Sequence, residues 1–282
     1  MTILKIPFLK AHGAKNDFLL TSVADLPRTA DLTTDAPLAD LARAICDRHT
    51  GIGADGWLHV SPGGEGAHGE IRLFNADGSV AEISGNGTRC TAAFLVHQGL
   101  SGTDVRIRTG AGVKHLRLLE RTGLHFRFEM NMGAPEIRSQ HFNLPISSGP
   151  RDATLVWVGN PQCAVPVENF DFDWRKMGAE IESNPNFPDR TNVSFFRARD
   201  RHALEVVFFE RGAGETLSSG TGSTGAVAAA MSRGMVESPV TVYTPAGPLE
   251  IRAEIRGNPD LYLVGPAEII GAGEFFCGKI KN

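Results

Sequence analysis

Two short segments rich in serine and glycine carry the residue types best suited to proton chemistry. They are Ser84-Gly85-Asn86-Gly87 and Ser219-Gly220-Thr221-Gly222. Each precedes a run rich in alanine and other helix formers, so each is predicted to open a helix. The first turn of a helix has unpaired backbone N–H groups and a positive dipole, and glycine there lets an anion approach closely. The same field lowers the pKa of a nucleophile or base at that position.

Ser84 and Ser219 are therefore the candidate catalytic residues. Serine before glycine is also a common N-cap, which is a sufficient structural explanation for either segment taken alone. Capping does not require a matching tetrapeptide at both equivalent positions of a duplicated chain. The pair suits a nearly symmetric reaction, such as removing a proton from one face of a carbon and returning one to the other.

The two segments belong to an internal duplication in which residue n matches residue n+135. This shift also places Phe74 on Phe209 and Thr109 on Thr244 without a gap. Composition predicts two helices, and alternating apolar residues predict four half-buried strands. The helices are residues 88–98 and 223–233, and the strands are residues 104–108, 125–130, 203–208 and 240–243. We therefore predict two similar α+β half-domains, residues 1–124 plus 269–282 and residues 125–268.

Composition places the chain among soluble globular proteins. Its 282 residues are 41% hydrophobic and 21% charged, which excludes disordered, collagen-like and membrane-spanning classes. A formal charge of -4 without basic runs predicts that the chain binds no nucleic acid. Charge and proline interrupt the first residues too early for a signal peptide. We therefore expect a cytoplasmic protein that does not associate with membranes.

The four cysteines, Cys46, Cys90, Cys163 and Cys277, are far apart and form no CxxC pair. This spacing predicts reduced, mostly buried thiols rather than disulfides or a zinc site. The sequence contains no phosphate-binding loop, dinucleotide fingerprint or metal-ligand cluster. We therefore predict that the protein uses neither a metal nor another cofactor.

The sequence contains eight ordered motifs, which are His12-Gly13-Ala14-Lys15-Asn16-Asp17-Phe18, Gly51-Ile52-Gly53-Ala54-Asp55-Gly56, Phe74-Asn75-Ala76-Asp77-Gly78-Ser79, Gly85-Asn86-Gly87-Thr88-Arg89-Cys90, Gly159-Asn160-Pro161, Arg190-Thr191-Asn192-Val193, Glu210-Arg211-Gly212 and Gly220-Thr221-Gly222. These motifs make the sequence similar to the diaminopimelate epimerase family over nearly its whole length. The resemblance implies two pseudo-symmetric strand-rich half-domains, each a β roll or barrel around a central helix. It also implies a cofactor-independent isomerase that interconverts LL- and meso-2,6-diaminopimelate by two-base α-proton transfer, for lysine and peptidoglycan precursor biosynthesis.

The resemblance also assigns residues to the two ends of a small amino-acid substrate. The distal end is assigned to Asn16, Asn75, Asn160, Asn192, Glu210 and Arg211, and the reacting α-carboxylate to Gly85, Asn86, Gly220 and Thr221. Asparagine pairs with both ammonium and carboxylate groups, and the arginine fork matches a carboxylate. Without the resemblance, the same side chains fit turn and capping asparagines with one surface ion pair.

The chain departs from the family pattern at its acid/base positions. The pattern has cysteine where Ser84 and Ser219 stand, and histidine where Gln162 stands. Gln162 and Glu210 occupy positions expected to modulate the pKa of the catalytic pair. A serine hydroxyl is far less acidic than a thiol, and glutamine cannot titrate, so we expect impaired or altered epimerisation.

Two cysteines, Cys90 and Cys163, are considered as replacements for the missing thiols. Cys90 is predicted to pack within its helix, whereas Cys163 is a minor candidate for the site. Three functions remain open: an altered epimerase, a lyase, dehydratase or racemase acting on another amino acid, and an inactive amino-acid-binding homologue. The family commonly dimerises through a closing segment with an aromatic where this chain has Gly271, so a homodimer with a weakened contact is expected.

Overall fold

Two structural units make up the chain, and each is built around one buried helix. The computed structural model describes residues 3–27, 34–64, 66–253 and 260–277. The N-terminal unit is Met1–Phe128 with Pro266–Asn282, and the C-terminal unit is Glu129–Gly265. The described residues contain four α-helices and 17 strands. The predicted α+β, strand-rich architecture is confirmed.

The N-terminal unit is a roll of strands around its second helix. Its elements are β1 (Leu4–Gly13), β2 (Asn16–Ser22), α1 (Asp35–Cys46), β3 (Gly56–Pro62), β4 (Gly69–Asn75), β5 (Val80–Ala81), α2 (Gly85–His97), β6 (Asp104–Thr109) and β7 (Gly112–Thr122). Strands β8 (His125–Gly133) and β17 (Leu261–Cys277) contain residues of both units. Strand pairing runs β17, β1, β2, β3, β4, β6, β7, with β2–β3 and β4–β6 parallel.

The C-terminal unit repeats this plan. Its elements are β9 (Glu136–Leu144), β10 (Arg151–Trp157), β11 (Pro161–Pro166), α3 (Trp174–Glu182), β12 (Asn192–Asp200), β13 (Ala203–Glu210), β14 (Gly214–Thr216), α4 (Gly220–Ser232), β15 (Val240–Thr244) and β16 (Gly247–Ala253). Pairing runs β9, β10, β11, β12, β13, β15, β16 and then the first residues of β17, with β11–β12 and β13–β15 parallel.

Each central helix is enclosed by strands, which explains its composition. Helix α2 contacts β1, β2, β3, β4 and β6, and its residues from Gly85 to Leu95 are all buried. Helix α4 contacts β9, β10, β11, β12, β13, β15 and β16 and is buried from Gly220 to Ala230. A helix that is hydrophobic or small on every side can be buried on every side. The alanine-rich runs that predict these helices therefore also suit their central position.

A second helix in each unit covers the opposite face of the strands. In the N-terminal unit, Leu41 and Ile45 of α1 pack with Leu19, Trp57 and Phe74. The neighbouring side chains of Phe18 and Leu58 lie beside Gly87 of α2 instead. Successive residues of a strand point to opposite faces, so each strand contributes to two apolar layers. These layers hold α2 in place and fix the position of its first turn.

The duplication is confirmed at the level of backbone conformation. Helices α2 and α4 each have 13 residues, and they begin at Gly85 and Gly220. The N-cap Ser84 has φ -129 and ψ 121, and the N-cap Ser219 has φ -131 and ψ 122. The predicted strands are confirmed as parts of β6, β8, β13 and β15. Equivalent segments of the two halves thus present equivalent helix starts.

Candidate active site

The start of α2 is capped by Ser84. Its side-chain oxygen accepts a hydrogen bond from the backbone N–H of Gly87 over 3.1 Å. Gly85 and Asn86, the first residues of the helix, are buried. The first four N–H groups of a helix have no acceptor within the helix, so this turn is an anion-binding position by its backbone alone.

A chain of side-chain hydrogen bonds connects this first turn to the start of β2. Arg89 donates to Oδ1 of Asn86 over 2.5 Å, and Asn86 donates from Nδ2 to Oδ1 of Asn16 over 3.2 Å. Asn16 then donates to Asp55 over 2.6 Å. Two residues predicted to contact the substrate, Asn16 and Asn86, are thus brought together. Their orientation is fixed by a donor at one end of the chain and a carboxylate at the other.

An ion cluster lies at the end of this chain. Arg48 lies 2.7 Å from both Asp17 and Asp55, and Lys10 lies 3.1 Å from Asp17. Burial raises the pKa of Asp17, but hydrogen bonds from Arg48 and Lys10 outweigh it, so the pKa lies below its usual value. Asp17 is therefore ionised at neutral pH, and the cluster holds the loop before β3 against β2.

Asn75, at the end of β4, is bonded within its own turn. Its side chain donates to Ser79 Oγ over 3.0 Å, and Ser79 donates to Asp77 over 2.6 Å. Gly78 has φ +83, a conformation that glycine adopts without strain. In the N-terminal unit, the structure therefore connects Asn16 with Asn86 but gives Asn75 local partners.

The start of α4 has the same cap with a different neighbour. Ser219 accepts from the N–H of Gly222 over 3.0 Å, as its counterpart does in α2. Its hydroxyl also donates to Oε1 of Glu210, the last residue of β13, over 2.6 Å. Hydrogen bonds to carboxylates at this distance are short and strong. Ser219 is therefore a buried hydroxyl paired with a proton acceptor.

Asn160 and Gln162 form a second polar group beside this helix start. Gln162 donates to Oδ1 of Asn160 over 2.7 Å, and Asn160 lies 3.5 Å from the hydroxyl of Thr221. Gln162 is 2% exposed, and its Oε1 has no hydrogen-bond partner in the described part of the chain. Buried polar atoms without partners are uncommon and mark places where a ligand or water can bind. This oxygen can accept a hydrogen bond from an ammonium group.

The loop after β13 is held by residues whose part the sequence did not indicate. Asn192 accepts from the backbone N–H of Arg211 over 3.1 Å and donates to the Pro161 carbonyl over 2.9 Å. The buried Glu182 accepts from the N–H of Gly212 and pairs with Arg190. Arg190 lies in one of the eight motifs, but the motif does not indicate its partner. The burial of Glu182 at the end of α3 is the feature that indicates this role, and no sequence pattern predicted it.

Cys163 and Cys90 are packed in the interior of their own units. Cys163 packs with Trp174, Ile181 and Phe195 on the α3 side of the strands, and burial raises its pKa to about 12. The minor assignment of Cys163 to the site is therefore wrong, because alternation sends Gln162 towards α4 and its neighbour to the other face. Cys90 is fully buried in α2, as predicted. Burial also raises its pKa to about 12.

No group of three or more His, Cys, Asp or Glu side chains in the described ranges could hold a metal ion. Within the same ranges, no helix is both long and apolar enough to cross a membrane.

Comparisons with known proteins identify the family. The diaminopimelate epimerase family model matches residues 8–137 and 154–270. The diaminopimelate epimerase of Halothermothrix orenii is 34% identical over 288 residues, covering 96% of this chain and 98% of that protein. The diaminopimelate epimerase of an Azoarcus species is 37% identical over 285 residues, with coverage of 96% and 99%.

Solved structures support the fold at lower identity. A hydroxyproline epimerase from Agrobacterium vitis, with bound trans-4-hydroxy-L-proline, has a TM-score of 0.75 at 16% identity and covers 96% of this chain and 92% of its own. A methylitaconate-delta-isomerase has a TM-score of 0.66 at 14% identity, with coverage of 98% and 96%. From the family model and the relatives together, the chain belongs to the diaminopimelate epimerase family and is an isomerase of the amino-acid epimerase type.

Proposed function

We propose that this protein acts at the α-carbon of a diamino dicarboxylate and slowly interconverts LL- and meso-2,6-diaminopimelate. The observation that carries the proposal is the pair of matched helix starts, in which Ser84 and Ser219 cap α2 and α4 with the same backbone conformation. Each start offers backbone N–H groups and a positive dipole to a carboxylate. We assign Ser84 and Ser219 as the two acid/base positions of the reaction.

The chemistry of the two positions explains why turnover should be slow. Removing the α-proton leaves the electrons of the C–H bond on the substrate, where they spread into its α-carboxylate. Helix N–H groups stabilise that charge. A thiol at a helix start ionises readily, whereas a serine alkoxide is much higher in free energy unless a base takes the hydroxyl proton. Glu210 is placed to do this for Ser219, while Gln162 cannot titrate.

We assign the remaining polar residues to substrate recognition. The α-carboxylate is assigned to the backbone of Gly85, Asn86, Gly220 and Thr221, and the distal amino-acid end to Asn16, Asn75, Asn160, Asn192 and Arg211. Glu210, which the resemblance also assigns to the distal end, is proposed instead as the partner of Ser219. An arginine fork binds a carboxylate through two parallel hydrogen bonds, and asparagine oxygens accept from an ammonium. The names of the relatives support diaminopimelate as the substrate. We also propose a place in lysine and peptidoglycan precursor biosynthesis, in the cytoplasm.

We also propose a homodimer, because the family commonly dimerises. Gly271 lies in β17 opposite Lys10 of β1 and is exposed. Light scattering over a tenfold concentration range should give a dimer mass that falls towards the monomer on dilution. A monomer at all concentrations would contradict this expectation.

The test compares candidate substrates with the full-length protein. Calorimetry should detect binding of LL-diaminopimelate, and chiral chromatography should detect slow formation of the meso isomer. Proline and trans-4-hydroxy-L-proline should bind at least about tenfold more weakly, because they lack the distal amino-acid end. Arg211→Met should reduce binding of diaminopimelate by about tenfold or more, whereas the surface control Arg175→Met should not.

Other results would favour the other functions. Preferred turnover of proline would indicate a racemase for another amino acid. Release of ammonia or water from the substrate would indicate a lyase. Binding without α-proton exchange would indicate an amino-acid-binding homologue.

A further inference from the structure

The two helix starts have matching backbones but different acid/base partners. In the C-terminal unit, Ser219 donates to the carboxylate of Glu210 over 2.6 Å. The 135-residue register places Asn75 at the position of Glu210 in the N-terminal unit. Asn75 is an amide that donates to Ser79, and no carboxylate in the described part of the N-terminal unit bonds to Ser84. One serine therefore has a proton acceptor within its own unit, and the other does not.

Positive charge is distributed in the opposite way. Arg89, in the second turn of α2, is fully buried and donates to the Gly85 carbonyl, the Asn86 side chain and the Pro266 carbonyl. No carboxylate in the described part of its unit pairs with it. The same register places Thr224 at this position in α4, where its hydroxyl donates to the Gly220 carbonyl. The two helix starts therefore differ in charge as well as in acid/base partner.

A third observation indicates that a ligand binds on the side of the carboxylate. Gln162 is buried beside α4, and its Oε1 has no partner in the described ranges. Its Nε2 group donates to Asn160, so rotating the amide to give the oxygen another partner would break that hydrogen bond. An ammonium next to the reacting carbon would satisfy this oxygen.

We propose that proton removal takes place only at Ser219, with Glu210 as the final proton acceptor. The inference rests on the proposed function. The α-C–H bond breaks and its proton passes to Ser219 Oγ, while the hydroxyl proton of Ser219 passes to Glu210. The electron pair moves into the substrate's α-carboxylate. Before the reverse transfer, the hydroxyl proton of Ser219 and the carboxyl proton of Glu210 both exchange with solvent, so the C–H bond that forms again on the same face carries a solvent proton.

This division of labour has a stereochemical consequence. The reacting carbon should exchange its proton with solvent and mostly keep its configuration, because proton return from the opposite face depends on Ser84, which lacks a carboxylate in its unit. Only one configuration of the α-carbon presents its hydrogen to Ser219. Exchange should therefore be fast for one of the two configurations and at least about tenfold faster than inversion.

The experiment follows deuterium from D2O into LL- and meso-diaminopimelate with the full-length protein. Mass spectrometry measures incorporation, and chiral chromatography measures configuration. LL-diaminopimelate contains only L centres and the meso isomer contains one D centre, so the two substrates report which configuration exchanges. Glu210→Gln should lower exchange by about 100-fold, while Glu210→Asp should restore part of it. Glu215→Gln, which removes an exposed carboxylate paired with Arg175 on the adjacent strand β14, is the matched control and should change little.

The outcomes separate this inference from the proposed function. Exchange confined to one configuration, lost in Glu210→Gln and recovered in part by Glu210→Asp, supports it. Exchange that is always accompanied by inversion overturns it and leaves the epimerase proposal standing. Binding without exchange, or an unchanged rate in Glu210→Gln, also overturns it. If calorimetry detects no binding of diaminopimelate, the proposed function and this inference both fail.

Discussion

Arg89 donates through Nη2 to Oδ1 of Asn86 over 2.5 Å, and this bond decides which way the amide of Asn86 points. A guanidinium has donors only, so Asn86 must turn its oxygen towards Arg89 and its Nδ2 group towards Asn16. Asn16 accepts that hydrogen bond and donates from its own Nδ2 group to Asp55. A fully buried cation thus orients two asparagines at the start of α2.

Replacing this cation should cost stability. In Arg89→Met, Asn86 and the carbonyls of Gly85 and Pro266 lose a donor inside the unit. The loss of these hydrogen bonds outweighs the gain from no longer burying a charge, so the free energy of unfolding should fall by about 2 kcal/mol or more in urea titrations. Arg201→Met, which removes an exposed partner of Glu237, should cost less than about 1 kcal/mol. Equal stability of Arg89→Met and the wild type would contradict this account.

Equivalent glycines in the two central helices should respond differently to alanine. A Cβ at Gly222 would lie 2.8 Å from the Phe208 ring and 2.9 Å from Ser219 Oγ. A Cβ at Gly87 would come no closer than 3.3 Å to any neighbour. Overpacking costs roughly 1–3 kcal/mol, so Gly222→Ala should be less stable than Gly87→Ala by at least about 1 kcal/mol. Equal melting and unfolding midpoints for the two variants would argue against the packing at α4.

A buried histidine should make the protein less stable in weak acid. Burial lowers the pKa of His59 to about 4, and Arg72 adds to the effect. Between pH 6.5 and pH 4 the unfolded chain binds a proton there that the folded chain does not, so stability falls as the pH falls, by at most about 3 kcal/mol. His59→Leu should make the pH dependence shallower, and the exposed control His97→Gln should leave it unchanged. Urea titrations at pH 7, 5.5 and 4 measure the slopes.

Restoring both thiols should raise epimerisation greatly. In the Ser84→Cys, Ser219→Cys double variant, each helix start carries a thiol. The positive dipole at a helix start lowers the pKa of a thiol and so favours the thiolate. Conversion of LL- to meso-diaminopimelate should increase by about 100-fold or more, while substrate affinity should change much less because the backbone contacts remain. Ser232→Cys, at the other end of α4, controls for the effect of an added thiol. A double variant that binds substrate but stays inert would show that the acid/base assignment is wrong.

Much of the fold follows from the sequence, because its main determinants are periodic. The duplication, the two helix starts and four strands could all be predicted from spacing and alternation, and the structure confirms them. The alternation that places Gln162 beside α4 also excludes Cys163 from the site. That exclusion required knowing where strand β11 begins, and sequence patterns place strand ends only loosely.

Side-chain partners across the chain were harder to predict. The hydrogen bond from Ser219 to Glu210 joins a helix start to a strand end. The duplication alone predicts the same side-chain partners in both halves, and the N-terminal half lacks this one. The role of Arg89 could not be predicted from its motif, because arginine is rarely fully buried. Such contacts depend on how strands and helices pack, and local propensity does not encode them.

The nearly identical backbones at Ser84 and Ser219 make the two halves of this chain interchangeable frames for side chains. Between residues 74–112 and 209–247, a residue of one half can be matched to the other by adding or subtracting 135 from its number, as Asn75→Glu would copy Glu210 and Thr224→Arg would copy Arg89. A designer could therefore exchange the acid/base partners of the two helix starts without changing the backbone of either turn. Gene duplication would have given evolution the same freedom, since one copy could drift in its side chains while the other preserved the original set.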